Sequence, residues 1–152
     1  MKCPVCSKEL VEYKAGAMNV DICRDGCSGI WFDASEIEKC DEHSEPFPQE
    51  LQRINKSPNV VIDRSKVRNC PKCAVTMARI VLDPEKRFEI DRCPTCAGHW
   101  LDNGEIERMR KGSKDDSERN ANLAAFNKRI NEQLKETDAR FRMNAFLKSV
   151  LY

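Results

Sequence analysis

The sequence predicts a small, metal-stabilised α+β fold, built from two similar modules and followed by a C-terminal α-helical segment. Three observations carry this. Eight of the nine cysteines fall into two sets of four, each set made of two closely spaced pairs. The stretch "CRDGCSGIWFDASEIEKC" at 23–40 returns, little changed, as "CPTCAGHWLDNGEIERM" at 93–109. After Gly112 the chain contains neither glycine nor proline, and apolar residues recur at helical spacing. The expected organisation is a first module over 1–42, a linker with a short helix over 43–66, a second module over 67–112, and an amphipathic helical segment over 113–152.

The cysteine spacing identifies the metal. The first set is Cys3, Cys6, Cys23 and Cys27, and the second is Cys70, Cys73, Cys93 and Cys96. Two residues between cysteines let both sulfurs of one tight turn reach one ion, and two such turns joined by a hairpin complete a tetrahedron. That pattern predicts two structural zinc ions, one per module, with these eight cysteines as ligands. The knuckle "CRDGC" is one residue longer than the others, and Gly26 is expected to absorb the extra residue. Four thiolates fill the tetrahedron, so no position remains for a water or a substrate, and the sites read as non-catalytic.

Between the knuckles, "ELVEYKAGAMNVDIC" and "MARIVLDPEKRFEIDRC" each read as two short strands around a turn, at "KAGA" and "DPEK". Each module is therefore a zinc ribbon. Trp31 and Trp100 follow the last ligand, and with Ile37 and Ile106 they are expected to cover the hairpin beside the metal. Asp33 and Asp102 precede Glu36 and Glu105 by three residues, the spacing of a capping box that starts a short helix. A unit of this size buries too little apolar surface to fold unaided, and a structural zinc contributes on the order of 10 kcal/mol.

These residues resemble a known family, the zinc-ribbon domains of the transcription factor IIB type. Its pattern, "CPxC", a hairpin and "CPxCxGxWxDxGE", is matched by "CPKC" and "CPTCAGHWLDNGE" in 70–105, and more loosely in 3–40, where "DASE" replaces "DNGE". The resemblance implies zinc binding, and a transcription-related or nucleic-acid-binding role by analogy of fold.

Other conspicuous residues have simpler explanations. Cys40 aligns with Met109 of the second module and reads as an apolar helix position, with a redox or extra-ligand role beside His43 as the alternative. His99 aligns with Ile30 and is not a ligand. In "VVIDRSKVRNCPKC" an extended chain would align Arg64, Lys66 and Arg68 on one face with Lys72 close by, a candidate phosphate-binding patch or a charged edge strand. In the C-terminal segment Leu123, Phe126, Ile130, Leu134 and Phe141 form one stripe, and Met143, Phe146, Leu147 and Val150 another. These would pack on the ribbons, on a second copy of the chain, or on another protein.

With 34% charged residues and a net charge of +1, the 152-residue chain implies no strong electrostatic partner. It starts "MKCPVC" with no apolar run, which predicts a cytoplasmic protein without a membrane partner. No nucleophile and base are arranged for catalysis, so the function expected is a non-enzymatic interaction module, docking onto a protein of the transcription machinery. Direct nucleic-acid binding through Arg64, Lys66, Arg68 and Lys72 is the alternative, with Arg140 and Arg142 as further contacts. A thiol-based redox or zinc-release switch is a third.

Overall fold

The computed structural model describes residues 1–16, 18–36, 54, 59–83, 88–103 and 105, together with Lys128, Glu132, Lys135, Glu136 and Ala139. The two expected hairpins form. In the first, β1 (Val11–Ala15) pairs antiparallel with β2 (Met18–Ile22), and Gly16 turns the chain with a φ of 60°. A third strand, β3 (Ile30–Phe32), then adds to β2. The second half repeats this with β4 (Ala78–Asp83), β5 (Phe88–Arg92) and β6 (His99–Leu101).

The ribbons do not stand apart. β3 pairs antiparallel with β6, giving one six-stranded sheet in the order β1-β2-β3-β6-β5-β4. Trp31 lies opposite Trp100, Ile30 opposite Leu101 and Phe32 opposite His99. Equivalent residues facing each other across antiparallel strands place a local twofold axis between the two tryptophans. Each ribbon alone would leave the edge of β3 or β6 unpaired, and the pairing removes both edges at once.

The alternation of strands separates two faces. Asp21, Trp31, Trp100 and Asp91 share one, since Asp21 pairs with Trp31 and Asp91 with Trp100. Val20, Ile22, Ile30, Phe32, Leu101 and Ile90 share the other, and all six are buried. Both tryptophans are fully buried as well, so the central strands are enclosed on both sides. The tryptophan side continues into a core with Leu10, Met77 and five buried cysteines, onto which Val60 and Ile62 pack.

Only the start of the first predicted helix, residues 34–36, and residues 103 and 105 of the second are among the described residues; Ile37 and Ile106 are not. The capping box forms by half. Glu36 Oε2 accepts the Asp33 amide at 3.3 Å, and Glu105 Oε2 accepts the Asp102 amide at 2.7 Å. The aspartate side chains turn elsewhere, Asp33 Oδ1 to the Trp31 indole N–H at 3.3 Å and Asp102 Oδ1 to that of Trp100 at 2.9 Å. The linker helix, Cys40, His43, both apolar stripes, and Arg140 and Arg142 lie outside the described residues. Lys128, Glu132, Lys135, Glu136 and Ala139 are helical and exposed. Among the described residues no helix is long and apolar enough to cross a membrane.

Candidate metal centres and the charges around them

The eight predicted cysteines come together as two groups, Cys3, Cys6, Cys23 and Cys27, and Cys70, Cys73, Cys93 and Cys96. Within each, all four sulfurs lie within 4.8 Å of one another. Cys3 Sγ is 3.4 Å from Cys27 Sγ, Cys6 Sγ is 3.3 Å from Cys23 Sγ, and Cys70 Sγ is 3.7 Å from Cys96 Sγ. A tetrahedron with Zn–S bonds of about 2.3 Å has sulfurs about 3.8 Å apart, so the donor sets fit zinc in type, number and spacing.

All four knuckles use the same backbone device. The residue after each second cysteine, Ser7, Ser28, Ala74 or Ala97, has a φ between 57° and 60°. Its amide donates to the carbonyl of the first cysteine, at 3.0, 3.0, 2.9 and 3.0 Å in turn. The amide of that first cysteine reaches across to Lys8, Gly29, Val75 or Gly98, closing the loop. Left-handed backbone costs a non-glycine residue roughly 1–2 kcal/mol, which metal closure offsets. Further amides point at sulfur, from Val5 to Cys3, from Lys72 and Cys73 to Cys70, and from Cys96 to Cys93, at 3.3–3.5 Å. Such donors favour thiolate.

Gly26 serves the long knuckle through space rather than through its torsions. A Cβ there would lie 2.6 Å from the sulfurs of both Cys23 and Cys6, and Gly26 is not among the residues of positive φ.

Each indole also reaches the other ribbon. A Cβ at Gly98 would lie 2.2 Å from the Trp31 ring, and one at Gly29 would lie 2.2 Å from the Trp100 ring. Both glycines directly follow a knuckle, so each tryptophan rests against the opposite metal site.

The basic strand also requires correction. Residues 64–66 form a turn, with the Ser65 amide and hydroxyl donating to Asp63 Oδ1, so Arg64, Lys66 and Arg68 do not share a strand face. Arg68 is buried, bonded to Asp91 Oδ2 at 2.7 Å and to Asp102 Oδ2 at 2.6 Å. Burial opposes its charge, but Asp102 and Asp91 outweigh that and hold its pKa above the ordinary value. A guanidinium so enclosed is not available to phosphate. Lys72 reaches across the seam to Asp33 at 3.2 Å, and Arg64 lies 3.6 Å from Glu105.

Two buried titratable groups stand out. Glu105 is pushed up to about 8 by burial and then by Asp102, against the pull of Arg64. Its bond to the Asp102 amide gives it a structural task. His99 is 3% exposed, and neither ring nitrogen has a hydrogen-bond partner. Burial, and then Arg92, lower its pKa to about 3, so it is neutral and, as expected, not grouped with the cysteines.

No curated protein and no solved structure matches the chain. A family described as "Transcription factor zinc-finger" matches residues 2–42 and 69–111. Those two segments cover more than half of the sequence and coincide with the two ribbons. The chain therefore belongs to the transcription factor zinc-finger family.

Proposed function

We propose that this protein is a non-enzymatic interaction module in which two structural zinc ions hold a rigid six-stranded sheet for a protein partner of the transcription machinery. The observation that supports the reading best is the closed donor set at both centres: four cysteine sulfurs per ion leave the metal no open position. The polar groups nearest the seam also have structural duties. Asp33 and Asp102 hold the indoles, and Arg68 neutralises Asp91 and Asp102. The family description adds the transcription context.

Capture of the tagged, zinc-loaded chain from its native lysate, with and without nuclease, tests this. A protein of the transcription machinery retained after nuclease is expected. Nucleic acid recovered alone, with all co-purifying protein released by nuclease treatment, would overturn the reading.

A further inference from the structure

The two ribbons present the same sheet face, and among the described residues a chain segment bonds to this face of the second ribbon only. In the second, the chain leading to Cys70 runs over the tryptophan side. Val60 and Ile62 pack onto the core that the two ribbons share, and Arg79 donates to the carbonyls of Arg64 and Lys66. Arg68 then seats its guanidinium between Asp91 and Asp102. Arg79 adds a second cation to Asp91 at 3.3 Å.

The first ribbon has neither arginine. Met1 stands at the position of Arg68: Leu10 donates its amide to the Met1 carbonyl as Met77 does to that of Arg68, both at 2.8 Å. Glu12 stands at the position of Arg79, opposite Asp21 as Arg79 is opposite Asp91. The Asp21 carboxylate is thus half-buried and forms no hydrogen bond or ion pair with any described residue. Burial, then Asp33 and Glu12, raise its pKa against the weaker pull of the chain's amino group and Lys72. Glu12, Lys14 and Asn19 on this face are exposed. Lys72 meets Asp33 through an exposed contact of the kind that contributes little.

We propose that this face of the first ribbon docks an extended, arginine-bearing segment of a partner protein, whose guanidinium bridges Asp21 and Asp33 as Arg68 bridges Asp91 and Asp102. Charge complementarity and the occupied face of the second ribbon both specify the occupant. The planar fork of arginine spans two carboxylates, which the single ammonium of Lys72 does not. The proposal rests on the interaction-module reading and assigns it a surface and a partner chemistry.

The test is a titration of the full-length, zinc-loaded, 15N-labelled protein with a blocked peptide of the chain's own 59–69 sequence, "NVVIDRSKVRN". Saturable shifts are expected at the amides of Glu12, Asp21 and Asp33 and at the Trp31 indole. Replacing the peptide's last arginine by citrulline should weaken binding about tenfold or more, the loss that goes with one charge-assisted pair. Asp21→Asn should do the same, whereas Glu12→Arg, which supplies the cation that Arg79 gives the second ribbon, should keep or strengthen binding. The first removes a half-buried charge and breaks no bond; the second rebuilds the cation of the second ribbon, so both variants keep the fold. Absence of shifts at those positions, or equal binding by Asp21→Asn, would overturn the docking face. A protein partner retained from lysate equally well by Asp21→Asn would reject this face and leave the interaction module standing.

Discussion

Trp31 and Trp100 face each other across the β3–β6 seam, and each indole lies over the glycine that follows the other ribbon's knuckle. The exchange is reciprocal, so the metal centres and the seam form one structure. A Cβ at either glycine would come within 2.2 Å of ring carbon, closer than any real contact.

Gly98→Ala and Gly29→Ala are therefore expected to displace the opposing indole and destabilise the fold by about 3 kcal/mol, the upper range for overpacking. Thermal unfolding and near-ultraviolet circular dichroism check this. An unchanged melting temperature with an unchanged tryptophan signal would show that the indoles are not seated there.

Loss of one metal should be felt by the other ribbon. Cys93→Ser is expected to release one zinc ion and to shift the Trp31 indole resonance, since Trp31 rests on Gly98 beside that knuckle. Chelator titration should then unfold both ribbons in one transition. First-ribbon amides that stay in place after Cys93→Ser would contradict the coupling.

Arg68 bears on stability rather than on ligand binding. Arg68→Ala leaves Asp102 without its cation, and Asp91 with Arg79 alone, in a buried site, a change that costs about 3–5 kcal/mol. Arg68→Lys should recover little of this, because one ammonium does not span both carboxylates. Denaturant unfolding of the two variants checks the claim; a loss under about 1 kcal/mol for Arg68→Ala would refute it.

His99 sets an acid limit. Its folded pKa, about 3, lies below the ordinary 6.5, so its contribution to stability is present above 6.5 and lost as pH falls towards 3. Ile30 holds the matching place in the first ribbon, and His99→Ile should stabilise the protein by about 1–2 kcal/mol by removing two unsatisfied nitrogens. It should also flatten the acid side of the stability profile, from pH 6.5 downwards. A variant less stable than the parent at neutral pH would mean that the imidazole is bonded after all.

Much of the site was legible because zinc ligation is local chemistry. Cysteines two or three residues apart can reach one ion only in a tight turn, and so the spacing of Cys70 and Cys73 specifies a knuckle without tertiary information. The alternation in "VEYKA" and "MNVDI" likewise fixes a hairpin. By contrast, β3 and β6 are three residues long, too short for any period to register. The left-handed residues after each knuckle are serine and alanine, which carry no such signal. Arg68 illustrates the limit best. A run of basic residues looks alike whether its charges face water or a buried pair of carboxylates, and Asp91 and Asp102 lie 23 and 34 residues away along the chain.

The sequence by itself thus determined the two four-cysteine centres, the two hairpins and the family, since each rests on contacts among near neighbours or on a repeated motif. Only the tertiary structure decided that the ribbons share one sheet, that each tryptophan serves the opposite metal site, and that the arginine filling one ribbon has no counterpart in the other. Those facts depend on edge pairing and on burial across the seam, which no local pattern encodes.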